Sequence, residues 1–301
     1  RYRDLRSRPR EHQEARRAVS LQARWLLLVA CVAASPCALA ESNAPRAYVT
    51  NQGDNTVSVI DLLTRVVIAT IGVGQRPAGV AASAAAGEFA YVSNPDGNSL
   101  SVIDRSTQQT LRAIPTGASP LGMAADPVRP LLYVANWYDR RIQIVDRERM
   151  AVTGEYAVGN VPAGVAVSRD GTLLAVANRD DNAIQLIELA TGSTAALIEV
   201  GRAPFGITLS ADGRQLFTAN VLSDDLSIVD VRERRETGRV KVGDAPYAIA
   251  HDARRGLLFV TNQQEGTVSV IDLATATERT RIQVGDYPEG INYSATLDRV
   301  Y

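Results

Sequence analysis

The sequence predicts an all-β fold, a β-propeller of four-stranded blades, on three observations. The tetrapeptide YVTN at residues 48–51 returns as YVSN (91–94), YVAN (133–136), AVAN (175–178), FTAN (217–220) and FVTN (259–262). Its asparagines, Asn51, Asn94, Asn136, Asn178, Asn220 and Asn262, therefore fall 42 or 43 residues apart. An acid follows each by ten residues, at Asp61, Asp104, Asp146, Glu188, Asp230 and Asp272. A Gly-x-x-Pro marker recurs in phase, at Gly74/Pro77, Gly117/Pro120, Gly159/Pro162, Gly201/Pro204, Gly243/Pro246 and Gly285/Pro288. A period of about 40–45 residues suits a propeller blade or a helical repeat, so the pattern inside one unit must decide.

That pattern is β throughout. Residues 162–201 hold four short apolar runs (GVAVS, LLAVAN, AIQLIEL, TAALIEV) separated by Arg-Asp-Gly, Asn-Arg-Asp-Asp-Asn and Thr-Gly turns. No stretch has the 3.6-residue amphipathic period of a helical repeat. Middle runs such as VSVI (57–60) and LSIV (226–229) are apolar on both faces or carry Ser between apolar residues. Blades packed on both sides require this, because neither sheet face meets water.

With strands lettered A to D outward from the central channel, each A strand starts at the marker proline and each B strand ends at the motif Asn. The chain then opens with strands B, C and D of a first blade (48–73). Five whole blades follow (77–116, 120–158, 162–200, 204–242, 246–284), and a further A strand spans Pro288 to Ser294. That makes six blade-equivalents. The last strand could close a six-bladed ring by joining the first three. The closing SATLDRVY (294–301), however, aligns with SRDGTLLA (168–175) and places Tyr301 where a new YVxN begins. The expectation is a seven-bladed propeller whose seventh repeat is cut within this sequence.

Residues 1–40 read as an export segment. Arg24, the apolar run Trp25–Ala34 and the small-residue site Ala38-Leu39-Ala40 predict cleavage after Ala40, with residues 1–18 upstream of the true start. The run is shorter than the roughly 20 apolar residues of a membrane span, so no transmembrane segment is expected in the mature chain. A rival reading takes LVAC (28–31) as a lipoprotein box with Cys31 lipidated. Both cysteines, Cys31 and Cys37, lie here, so a propeller domain at 41–301 would hold neither disulfide nor thiolate nucleophile, and only one histidine, His251. Residues 1–40 also hold eight of the 32 basic and three of the 33 acidic residues, leaving 24 against 30. That balance disfavours a nucleic-acid partner.

The motif YVTN…VSVID…VG…P.G resembles the YVTN-repeat family of bacterial and archaeal β-propellers over residues 48–301. The resemblance implies the fold and an exported protein, and only weakly an activity. Some propellers of this kind act as stand-alone binding proteins or accompany periplasmic redox systems. Others hydrolyse lactones or house pyrroloquinoline quinone or haem.

Within each repeat the motif Asn is expected to serve the B–C hairpin by accepting a backbone N–H two residues on, and the acid ending strand C to serve the C–D turn. Asp54 and Asp61 as cation ligands are the weaker reading, since calcium takes six to eight converging oxygens. Function is better sought where the repeats differ, on the face carrying the B–C and D–A loops. There stand Trp137, Tyr138, Arg140 and Arg141 in NWYDRR, Arg76 and Arg202 in the Gly-x-x-Pro loops, Tyr287, and Phe205, Tyr247 and Glu289 after the prolines. Trp, Tyr and Arg anchor protein interfaces and stack on flat ligands. These residues predict a monomeric, periplasmic or secreted module that binds a periplasmic protein or small ligand and needs no cofactor or metal. The alternative is a lactonase-like hydrolase or a quinone- or haem-associated oxidoreductase. It requires Glu289, His251 and Asp286 to meet at the channel mouth.

Overall fold

A computed structural model describes residues 44–82 and 89–301; the export segment and the Cys31 alternative lie outside the described residues. The chain is an all-β propeller. Five sheets have four antiparallel strands in sequence order, a first sheet has three, and a two-stranded hairpin closes the described chain. In the third blade, for instance, strands A to D are Pro120–Ala125, Leu131–Asn136, Arg141–Asp146 and Ala151–Ala157. Each B strand ends on its motif Asn and each C strand on its acid. The third to sixth A strands start on the marker proline.

Two A strands are shorter than expected. That of the second blade spans only Val80–Ala82, and the last one only Tyr293–Ser294. The register explains the second case: Tyr293 pairs with Val300 and Asn292 exchanges bonds with Tyr301, so residues 288–291 face no partner strand. This hairpin takes the A–B arrangement of a further blade and does not pair with the first sheet.

The B strands show why continuous apolar runs were needed. In Leu131–Asn136, Leu132 and Val134 pack into the core shared with the second blade, whereas Tyr133 and Ala135 pack into the core shared with the fourth. Alternation thus feeds two cores. Five such inter-blade cores lie among the described residues. The outermost faces stay open. Val49 is 45% exposed where Val92 and Val134 are 0%, and Ile282 is 47% exposed where Ile114 is 2%.

The motif asparagines do not take the hairpin role expected of them: the side-chain oxygens of Asn94, Asn136, Asn178, Asn220 and Asn262 accept no turn N–H. Instead, all but Asn136 donate from Nδ2 to strand C. Asn220 reaches Asp225 and Ser227 (both 2.8 Å), and Asn262 reaches Thr267 and Ser269 (2.9 and 2.8 Å). The same strand-C group accepts the marker glycine's N–H, as in Gly201 N to Ser227 Oγ at 3.2 Å. A Cβ on Gly201 would lie 2.5 Å from the Asn220 Cγ. Only glycine fits over the asparagine. The left-handed residue of the hairpin is the fourth after the Asn, at Asn55, Asn98, Arg140, Asn182 and Asp224. Several of these reach the next D–A loop, as Asn55 Oδ1 accepts the Arg76 N–H at 2.8 Å. The five aspartates ending strand C hold the C–D turn as expected, as Asp61 Oδ1 accepts the N–H groups of Leu63 and Thr64, both at 2.9 Å, whereas at Glu188 the backbone carbonyl takes the Gly192 N–H at 2.7 Å.

The terminal hairpin is tied to the sixth blade by charge. Arg254 and Arg255 converge on Asp298 (2.6–2.7 Å), Arg255 also holds the buried Asp252, and Tyr293 Oη donates to Asp298 at 2.9 Å. Hydrogen bonds from Arg255, then from Tyr293, hold the Asp298 carboxyl well below the usual carboxylate range. A depressed folded-state pKa contributes stability above the unfolded value, about 3.9, that is lost as pH falls through the folded value. The penalty of Asp298→Asn in chemical denaturation is therefore expected to stay constant above about pH 5 and to shrink below about pH 4. A penalty unchanged in acid would show that the charge does not hold this hairpin.

Candidate functional site

The channel mouth on the B–C/D–A loop face gathers four of the residues singled out in the sequence. Phe205 and Tyr247 follow the marker prolines of adjacent blades and begin their A strands. Each A strand carries a small residue next, and this brings neighbouring backbones together. A Cβ on Gly164 would lie 2.1 Å from the Phe205 carbonyl oxygen, and one on Gly206 would lie 2.2 Å from that of Tyr247. At this spacing the Phe205 and Tyr247 rings stack, centroids 4.1 Å apart and planes 29° apart. Trp137, from the third blade's B–C loop, meets Phe205 at 6.0 Å, since the fourth blade has only Ala163 at the position of Phe205. The row ends at Arg179, whose Cζ lies 5.9 Å from the Trp137 ring centroid. Arg179 Nη1 also pairs with Asp180 at 2.5 Å.

Glu289 occupies the same position one blade beyond Tyr247. It is half-buried, and its carboxylate accepts from two neutral amides, Gln263 Nε2 at 2.9 Å and Gln52 Nε2 at 3.2 Å. Thr261 Oγ1 donates to its backbone carbonyl at 3.3 Å. Burial, then the Glu289 charge, pushes the Tyr247 phenol up from its ordinary value, so it stays a neutral donor near pH 7.

Other residues of the expected patch do not join this row. Trp137 takes its guanidinium from Arg179 rather than from Arg140 or Arg141. Arg141 pairs with Glu155 on its own blade at 2.7 Å, and Arg140 is an exposed left-handed turn residue. Arg76 pairs with Asp96 at 3.7 Å, and Arg202 donates to the Leu222 carbonyl. Tyr138 and Tyr287 are 73% and 70% exposed on the surrounding loops. Arg179, Gln52 and Gln263 were missed by the sequence reading. Each directly follows a motif Asn, the register of Trp137, and that shared register was the available signal.

His251 and Glu289 do not meet. His251 is the penultimate residue of the sixth A strand, towards the opposite mouth, and lines a cleft of about 370 Å³ with Leu209, Ile249, Ile291 and Tyr293. Its ring contacts Phe217 edge-on at 5.5 Å. Burial lowers its pKa, opposed by Asp252 and Asp212.

This geometry is that of a repeat family. A family model described as YNCE-like beta-propeller matches residues 26–214, more than half of the chain. The chain belongs to the YNCE-like β-propeller family. Among solved structures, this YNCE-like propeller is similar to hydrazine synthase of Kuenenia stuttgartiensis. The TM-score is 0.76 and the identity 18%, covering 85% of this chain and 91% of that one. At that identity the likeness is one of fold. No curated protein matches this family member.

Proposed function

We propose that this YNCE-like propeller is an exported, non-catalytic module that binds a partner protein through its B–C/D–A loop face, centred on the channel mouth. One observation carries the reading. At the position after the marker proline the second, third and fourth blades place the aliphatic Ala78, Leu121 and Ala163, whereas the fifth and sixth blades and the segment before the terminal hairpin place Phe205, Tyr247 and Glu289, with Trp137 completing the row. Scaffold needs account for aliphatic residues there and not for two stacked aromatics followed by a carboxylate. A half-buried aromatic row rimmed by exposed tyrosines has the make-up of an interface anchor. The export-like segment at residues 1–40 supports a periplasmic location and a partner there. The shared fold with a hydrazine synthase is consistent with an accessory role beside a periplasmic redox system. A catalytic reading lacks an acid–base pair among the described residues of this mouth, because Glu289 meets amides and His251 lies at the other end.

The test is affinity capture from a periplasmic extract with wild type and Trp137→Ala. Wild type is expected to retain a partner that the variant recovers at least tenfold less well. This corresponds to an anchor worth about 1.4 kcal/mol or more. Equal recovery of every captured protein would discard the loop face as the binding surface.

A further inference from the structure

Resting on that binding reading, we propose that the mouth recognises a cationic side chain, the guanidinium or ammonium of a basic segment of the partner protein. The cation would be held over the Phe205–Tyr247 rings against Glu289. Three observations converge. First, Glu289 is a half-buried carboxylate contacted by two neutral amides, with no cation paired to it among the described residues. A carboxylate withdrawn from water gains most from a charge-assisted partner. Second, the adjoining aromatic row already accepts a guanidinium at its far end, where Arg179 sits over Trp137. The stacked Phe205–Tyr247 pair is the continuation of that row beside Glu289.

Third, the charge of the propeller is concentrated on this face. The four residues after each motif Asn, the four before each marker proline and Glu289 together hold ten acidic and four basic residues. Residues 41–301 as a whole hold 30 acidic and 24 basic, so the rest of the propeller is balanced and the excess of six lies around this mouth. Such a field repels nucleic acid and steers basic partners toward the aromatic row. The exposed Tyr138 and Tyr287 on the surrounding loops offer contact area to a polypeptide rather than to a small free cation.

Calorimetric titration tests this on the full chain with three probes: a ten-residue peptide of alternating Arg and Gly, its Glu-for-Arg counterpart, and methylguanidinium. The Arg peptide is expected to bind saturably, about tenfold more weakly to Glu289→Gln, and more weakly as salt is raised. Phe205→Leu should weaken it similarly, and unfolding midpoints near wild type would confirm that both variants fold. The Glu peptide should not bind, and methylguanidinium should bind at least tenfold more weakly than the Arg peptide. Absent binding of the Arg peptide, or binding unchanged in Glu289→Gln, overturns the proposal. Methylguanidinium binding as tightly as the peptide would overturn the protein-borne source and leave a free organic cation as the ligand. If Trp137→Ala loses a captured partner that Glu289→Gln keeps, the binding reading stands and the cation proposal falls.

Discussion

Gly164→Ala is expected to destabilise the propeller by about 3 kcal/mol or more, at the upper end of what overpacking costs. The added Cβ would lie 2.1 Å from the Phe205 carbonyl oxygen and 3.0 Å from an Ile207 side-chain carbon. A flexible side chain could swing away from such a contact; a strand backbone bonded into the next blade cannot. Relief requires the fourth and fifth A strands to separate, which opens the core they share and shifts Phe205 away from Tyr247. Gly122→Ala makes the same collision, with the Ala163 carbonyl at 2.0 Å. Gly53→Ala is the control. Nothing lies within 4 Å of its Cβ, and the change should stay below about 1 kcal/mol. Urea unfolding of the three variants decides the matter, and a Gly164→Ala protein as stable as Gly53→Ala would mean that the A strands are not in backbone contact.

Asp126→Ala is expected to cost about 2–3 kcal/mol, the range for leaving a buried hydroxyl without its acceptor and losing charge-assisted hydrogen bonds. Asp126 is 1% exposed and Tyr133 is 0% exposed. The Asp126 carboxylate accepts from the Val128 and Arg129 N–H groups, from Arg129 Nε at 2.8 Å and from Tyr133 Oη at 3.0 Å. Arg129 continues to the Gly171 carbonyl of the next blade at 2.5 Å. Removing the carboxylate orphans a buried hydroxyl and releases the arginine that joins two blades. Burial, the largest of the causes that raise the Tyr133 phenol above its ordinary value, persists without Asp126, so the orphaned hydroxyl stays neutral near pH 7. Adding Tyr133→Phe should recover about 1–2 kcal/mol, because the orphaned hydroxyl is then gone. A double variant no more stable than Asp126→Ala would place the cost elsewhere.

Most strand limits were legible because a residue with a local job marks them, the second and last A strands excepted. Asp61 ends strand C by accepting two turn amides within three residues, and Pro204 starts strand A with a fixed φ. The candidate site was legible only in part. Trp137, Phe205, Tyr247 and Glu289 stood out as departures from the repeat. Their grouping depends on contacts across blades, and a reading confined to neighbours in sequence joined Trp137 to Arg140 and Arg141 instead of to Arg179.

The repeat period, the four strands in each unit, the turn residues and the positions that differ between units were determined by the sequence alone, since all are local or periodic properties. Tertiary structure alone decided the rest. It put the motif asparagine under the marker glycine and against a strand-C serine, residues 26 and 7 positions away in the case of Gly201, Ser227 and Asn220. It also placed Glu289 between Gln52 and Gln263, bringing residues 237 positions apart into contact. Propeller closure creates such contacts by bringing the start of each blade's inner strand against its neighbours, and no pattern along the chain encodes the distance across the channel.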